Sequence, residues 1–307
     1  MLLAPDFQNL LVHPVEKSSL KFDEEKFILR GGKGLDEFSI KEGVPILLVP
    51  ETRTKIAGDV VQSDQGGHFS YKEHYQTDAE VYDYTELSEN RIERGETLRL
   101  RDAILSKVPK KSEWILDVGC GGAWLAGHLV PKGKKVVSMD ISDVNPIRAI
   151  KKIPGENHFG LVADVFDLPF AHNTIDTIVA SEIIEHVPDP KAFLKALYEV
   201  LKPGGTLIVT TPYNELIRTS LCIHCNRLTP HNAHLHSFKE DTLKAISPVP
   251  SIRIETRVFN SKILVKTGIE RLLSFLPQSI WSVFDHLVTN LTGKRAYRLM
   301  AIIKKPS

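Results

Sequence analysis

Seven consecutive residues, Asp117-Val118-Gly119-Cys120-Gly121-Gly122-Ala123, join a buried apolar run to an amphipathic one. Glycines at such a junction let backbone pass close to a ligand. Two further acids recur where later apolar runs end, Asp140 after residues 135–139 and Asp164 after residues 161–163. A carboxylate at the second of these places can accept both hydroxyls of a ribose. A lone glycine turn says little; three acids in order behind it say much more. The plain alternative for each acid is a helix cap or a surface ion pair. Among nucleotide sites, the dinucleotide fingerprint wants glycine at position 124, which is Trp124, and no phosphate loop ending in Gly-Lys-Ser/Thr is present. A nucleoside without a phosphate fits the pattern better.

On these residues the chain, from about Ser112 to Pro212, resembles the class I S-adenosylmethionine-dependent methyltransferases. Ile115 to Gly121 is similar to the family's first motif, Val137 to Ile141 to its ribose-binding strand end, and Ala163-Asp164-Val165 to its adenine-side acid. Ser181-Glu182-Ile183-Ile184-Glu185-His186-Val187-Pro188-Asp189 resembles the fourth-strand motif, and Leu201 to Gly205 the turn before the fifth strand. One departure is Ala123, where the family often has glycine. The resemblance implies S-adenosylmethionine as cofactor. Gly119, Cys120 and Gly121 would pass its amino-acid end, with Asp117 orienting that loop and the ammonium. Asp140 would take the ribose, Ile141 would pack on the adenine, and Asp164 and Val165 would contact its amino edge. Ser181 would stand at the end of the fourth strand.

His186 follows that strand, so an imidazole would stand near the transferred methyl group. It is a candidate general base for an acceptor oxygen or nitrogen, and equally a residue that only shapes the loop. Further on, Cys222, Cys225, His231, His234 and His236 fall within fifteen residues. Cys222, Cys225, His231 and His236 have the donor types of a tetrahedral zinc site, although the spacing matches no standard finger. Inert thiols and ordinary polar histidines are the alternative.

The elements that must position these groups alternate between strand and helix from Glu113 to Thr211, the pattern of a doubly wound, mostly parallel α/β sheet. With the resemblance this becomes a seven-stranded Rossmann-like methyltransferase domain over residues 112–307, carrying a helical insertion at 266–292. Residues 1–55 read as a small β-rich accessory unit that resembles, more weakly, a zinc ribbon. Its likeness rests on Leu2 to Pro5 and Phe38 to Leu48, with Ala4 and Phe7 where cysteines are expected, so packing must hold it. Residues 56–111 read as linker and cap helices. Tyr75, Tyr82, His186, Tyr213 and Asn214 are expected around the acceptor, with the insertion as a possible cover.

Composition limits the function classes. The chain has 307 residues, 42% hydrophobic and 25% charged, an ordinary globular mixture. A net charge of +1 lacks the footprint of a dedicated nucleic-acid binder. Three cysteines and no visible leader suggest a cytoplasmic protein, and the most apolar stretch is broken by Pro277, so no membrane span is expected. The acceptor expected is a small molecule or a glycan or lipid precursor, with oligomerisation through the 266–292 insertion as a further expectation. The rivals are a non-catalytic cofactor-binding scaffold and a protein or nucleic-acid methyltransferase.

Overall fold

The computed structural model describes residues 3–33, 36–49, 71–223, 226–269, 273 and 276–307. The part of the expected linker at 56–70 and the thiol of Cys225 lie outside them. The centre is a parallel set, β5 (Trp114–Val118), β6 (Lys135–Asp140), β7 (His158–Ala163), β8 (Ile175–Ser181) and β9 (Leu201–Pro212). Every residue of β5 and β7 is buried, the continuous apolar pattern of strands covered on both faces. β13 (Ala296–Lys304) runs antiparallel between β9 and β12 (Ile254–Ser261). The order β7-β6-β5-β8-β9-β13-β12 is the expected seven-stranded sheet.

The amino-terminal residues do not stand apart from it. β1 (Lys21–Asp23), β2 (Ile28–Gly31), β3 (Asp36–Lys41) and β4 (Val44–Leu47) form an antiparallel meander whose last strand pairs in parallel with β7, giving eleven strands in one sheet. Phe7, in the short helix α1 (Pro5–Gln8), stacks on Phe159 with ring centroids 4.8 Å apart, and Trp114 packs on the same ring. Where the zinc-ribbon likeness wants cysteine, Phe7 serves as a core residue. His13 is fully buried and fixes the turn before β1: Nε2 bonds Asp36 at 2.8 Å while Nδ1 accepts from the amides of Val15 and Glu16.

The expected stop at Lys202-Pro203-Gly204-Gly205 is a bulge inside β9. The register jumps from Ile175↔Leu201 to Thr177↔Thr206, Gly204 takes φ +73°, and a Cβ on Gly205 would lie 2.9 Å from the Asp176 carbonyl. The breaker residues thus bend the strand rather than end it.

Helices cover both faces. α3 (Arg91–Leu105) and α4 (Trp124–Leu129) pack on one, and α6 (Pro190–Val200) buries Phe193, Leu194 and Leu197 on the other. α2 (Tyr71–Val81) lies along α5 (Val144–Lys152), held by Gln76 on Asp143 and by Arg148 on the Ala79 carbonyl at 2.8 Å. β10 (Thr219–Leu221) and β11 (Leu228–Pro230) form a separate hairpin after β9, followed by α7 (Glu240–Ala245). After β12 come α8 (Lys262–Lys266) and α9 (Gln278–Leu291). α9 turns Trp281, Asp285 and Thr289 inward, and Asp285 accepts from the amides of Asn260 and Ser261. Within the expected insertion, α9 thus packs one face behind β12 and leaves Ile280, Val283, Leu287 and Leu291 exposed on the other. Among the described residues no helix is long and apolar enough to cross a membrane.

If the meander and the central sheet share one core, Phe7→Ala removes a ring that both use and should cost about 3–5 kcal/mol. Urea denaturation followed by circular dichroism and by Trp114 fluorescence should show one coincident transition, shifted to lower urea in the variant. An early transition confined to the meander would make it an independent unit.

Candidate active site

The glycine turn leaves β5 with Gly119 at φ +68° and Gly121 at φ +44°, conformations that glycine adopts without steric cost. The amides of Gly119 and Cys120 both donate to the Met139 carbonyl, at 2.9 and 3.0 Å, which fixes the turn to the end of β6. A Cβ on Gly119 would fall 2.2 Å from Ile183, and one on Gly122 would fall 2.0 Å from the Tyr84 carbonyl oxygen. Ala123 is fully buried with φ +55°, so the departure noted in sequence is a left-handed alanine that costs about 1 kcal/mol locally.

Around this turn is a cavity of ≈ 1140 Å³. Gly119, Gly121, Asp140, Ile141, Asp164, Val165 and Ser181 line it, as expected. Asp140 accepts from the Ser142 amide at 3.1 Å and from the Asn145 side chain at 3.0 Å, so its carboxylate is held still at the cavity wall. Asp164 accepts from the Phe166 amide at 3.0 Å and from the Tyr71 hydroxyl, with the Lys72 ammonium 3.7 Å away.

Two expected site residues are placed otherwise. The Cys120 thiol points into the core beside Leu125 and Ala126, where burial pushes its pKa well up, so only its backbone serves the turn. Asp117 lies beneath the turn, buried, with Oδ2 lacking a hydrogen-bond partner. Burial, then the nearby Asp140, pushes its carboxyl up to about 8.

Beyond β8 the wall becomes polar. Glu182 is held at φ +58° and paired with Arg298 at 2.9 Å. His186 directs Nδ1 to the Ala233 carbonyl at 3.3 Å, the tautomer that leaves Nε2 with its lone pair. Burial, then the neighbouring His234, lowers its pKa to about 4, so the ring is neutral at pH 7. The His186 and His234 rings meet edge to face at 4.7 Å, and Tyr75 meets His186 at 5.7 Å. On the far side of Glu182, His186 and His234 is a second chamber of ≈ 600 Å³, which Tyr213 and Asn214 line. Glu182, Asn214, Asn232 and Ala233, all non-glycine, share the left-handed region around this wall, a concentration of strain typical of functional loops.

Among the described residues Cys222, His231 and His236 do not come together as metal ligands, and Cys225, the fourth of the expected set, lies outside them. Cys222 gives its amide to the Arg227 carbonyl, His231 is exposed, and His236 turns Nε2 to the Val187 carbonyl at 3.0 Å. Among the described residues the group that offers metal-ligand atoms within 4.8 Å of one another is Glu185, His186 and His234. Sequence reading singled out His186 for its place after the fourth strand and His234 within the Cys/His cluster, but did not bring the two together. Glu185 carried the signal of an acid next to His186, whereas His234 comes from a loop 48 residues on. The cover over the cavity is also different: Tyr71, Tyr75, Tyr82 and Tyr84 come from α2 and the segment after it, and Leu228 to Leu235 close the other side, while no described residue of 266–292 lines it.

A family model described as a methyltransferase domain matches residues 89–247. The chain is 36% identical over 129 residues to the mitochondrial ubiquinone biosynthesis O-methyltransferase of Homo sapiens, a match covering 36% of this chain and 34% of that protein. It is 32% identical over 145 residues to the ubiquinone biosynthesis O-methyltransferase of Xylella fastidiosa, covering 43% and 57%. The chain thus spans only about a third to three fifths of these curated relatives. Among solved structures, the cyclase SpnF superposes with a TM-score of 0.51 at 16% identity over 73% of this chain and 87% of that one, a likeness of fold alone.

Asp117 makes stability depend on pH in a defined direction. Its carboxyl holds a proton up to about pH 8 in the folded chain, against 3.8 as the ordinary value. The folded state binds the extra proton between these limits, so this contribution is full below the lower value and is lost as pH rises through the upper one. Thermal denaturation between pH 5 and 8 should show wild type losing stability with rising pH more steeply than Asp117→Asn. Equal slopes would remove Asp117 as the group responsible.

Proposed function

Because this chain belongs to the methyltransferase-domain family and has its class I, S-adenosylmethionine-dependent fold, we propose that it transfers a methyl group from S-adenosylmethionine to a hydroxyl oxygen of a small molecule. One observation carries the reading. The glycine turn, the ribose-side Asp140 and the adenine-side Asp164 line one cavity whose inner wall holds a neutral imidazole, His186. The residues also fit the cofactor, since at Gly119 and Gly121 bare backbone lines the cavity beside the carboxylates of Asp140 and Asp164.

When bound, S-adenosylmethionine supplies an electrophilic methyl group. Gly119 and Gly121 would let backbone face its amino-acid end, with Asp117, buried below the turn, orienting the loop and reaching the ammonium through water. Asp140 would take the two ribose hydroxyls, Ile141 and Val165 would pack on the adenine, and Asp164 would accept from its amino group. His186 Nε2 takes the proton from the acceptor hydroxyl as the methyl group transfers. Alignment in a cavity shielded by the tyrosines supplies much of the remaining acceleration. The names of the relatives favour oxygen as the acceptor atom, and the enclosed cavity favours a small molecule over a protein or nucleic acid.

A second reading of the wall, exclusive of the first, has its own observation. Glu185, His186 and His234 present one oxygen and two nitrogens within 4.8 Å, a donor set suited to zinc or a similar divalent ion. An ion held there would take the Nε2 lone pair of His186 and so replace its role as general base. Among the described residues this is the set that comes together, in place of one that includes Cys222, His231 and His236.

Calorimetric titration with S-adenosylhomocysteine should show binding, weakened by about 2 kcal/mol, or roughly 30-fold, in Asp140→Ala. No binding by the wild-type protein would sink the reading. In an assay with radiolabelled cofactor and a catechol acceptor, His186→Ala should lower turnover about 100-fold while cofactor affinity holds. With its pKa at about 4, His186 stays deprotonated from pH 6 to 9, so its contribution is constant there and falls only at acid pH. A variant that turns over like wild type would leave His186 a role in loop shape alone. On the metal reading, elemental analysis should find about one ion per chain, lost in Glu185→Gln.

A further inference from the structure

The second chamber is not used by the cofactor reading, yet it shares Glu182, His186, Asn232 and His234 with the main cavity. The two cavities adjoin at these residues, so an acceptor whose hydroxyl stands at His186 borders the second chamber. The charges there decide what the chamber can hold. Glu182 is paired with Arg298 at 2.9 Å, and Glu215 with His234 at 2.5 Å. Glu185 is buried 4.0 Å from the neutral His186 ring, and burial, then Glu182, raises its carboxyl well above the ordinary value, which disfavours a charge on it. Two cations lining the chamber, Arg218 and Lys262, have no carboxylate within 4.0 Å among the described residues. Lys262 is half-buried with its ammonium 5.3 Å from the Tyr297 ring centroid, which fixes its direction, and Arg218 is exposed at the rim.

Resting on the methyltransferase reading above, we infer that the second chamber seats an anionic group, a carboxylate or a phosphate, carried by the methyl acceptor, with Lys262 and Arg218 as its counter-charges. A half-buried ammonium without a carboxylate partner is stabilised by an anion brought to it, and a planar guanidinium at the rim adds a two-pronged contact. The acceptor is then an acidic hydroxylated molecule, its hydroxyl at His186 and its acid across the wall.

The test uses protein saturated with S-adenosylhomocysteine and three probes: catechol, 3,4-dihydroxybenzoate and phenyl phosphate. Calorimetric titration should show at least one acidic probe binding about tenfold or more tightly than catechol, with the preference shrinking at high salt. The better of the two acidic probes tells carboxylate from phosphate. The double variant Lys262→Gln, Arg218→Gln should erase the preference, and Lys262→Arg with Arg218 intact should keep it. Equal affinity for all three probes, a preference that survives in the double variant, or no binding of any probe overturns the inference. Failure of S-adenosylhomocysteine to bind, with the acidic preference still present in its absence, would reject the cofactor reading and leave the anion site standing.

Discussion

Two backbone amides, those of Gly119 and Cys120, converge on one carbonyl, that of Met139. The site depends on that convergence. It ties the exit of β5 to the end of β6, so that Asp140, the next residue, is delivered beside the turn instead of following its own strand outward. The amides can converge only because Gly119 takes a left-handed conformation, and the turn stays narrow because Ile183 occupies the place of the missing side chain. Parallel strands then do the rest, since their carboxyl ends open on the same edge and bring Asp164 and His186 to the same cavity.

Packing acids this closely has an electrostatic cost that shapes the whole wall. Burial raises the carboxyls of Asp117, Asp140, Glu182 and Glu185, and Asp140 adds to the rise at Asp117 as Glu182 does to the rise at Glu185. Arg298, reaching from β13 on the antiparallel side of the sheet, is the counter-charge that opposes the rise at Glu182. A positively charged ligand, such as a sulfonium with its ammonium, relieves the same repulsion at Asp117 and Asp140. The cofactor's chemistry and the protein's internal imbalance are thus complementary, with the site better balanced when the cation is bound.

How much of this was legible in the sequence follows from distance along the chain. The glycine turn and the acids at strand ends are local features, each defined by an apolar run and the residue that stops it, and Gly119, Gly121, Asp140 and Asp164 line the cavity as read, with Asp117 beneath it. The seven-stranded order was legible through family likeness. The fusion of β4 to β7 was not, because pairing Ile46 with Val162 joins segments more than a hundred residues apart, and composition carries no register. The bulge at Gly204 looked like a stop because Pro and Gly usually mark one; only the pairing of Ile175 with Leu201 shows that the strand starts before them. Cys120 was misplaced by its position inside the motif, where the backbone matters and the thiol turns to the core. Arg298, and the partners of His234, escaped for the same reason as β4: they meet Glu182 and Glu185 through topology alone.

The cover is where these long-range and local features meet. α2 reaches the cavity at both ends: Tyr71 and Lys72 stand on Asp164, and the segment after α2 lays the Tyr84 carbonyl against Gly122. The same helix is tied to α5 through Gln76, Ala79 and Tyr82, and α5 begins just after Asp140, whose carboxylate Asn145 of α5 holds. Any ligand group that bonds Asp164 shares an oxygen with Tyr71, and any movement of α2 bears on α5 and through it on Asp140. The adenine end and the ribose end of the cavity are therefore mechanically linked by one helix pair. A substitution in α2 acts on cofactor seating through that linkage, and Tyr75 of the same helix, edge to face with His186, carries it to the polar wall as well.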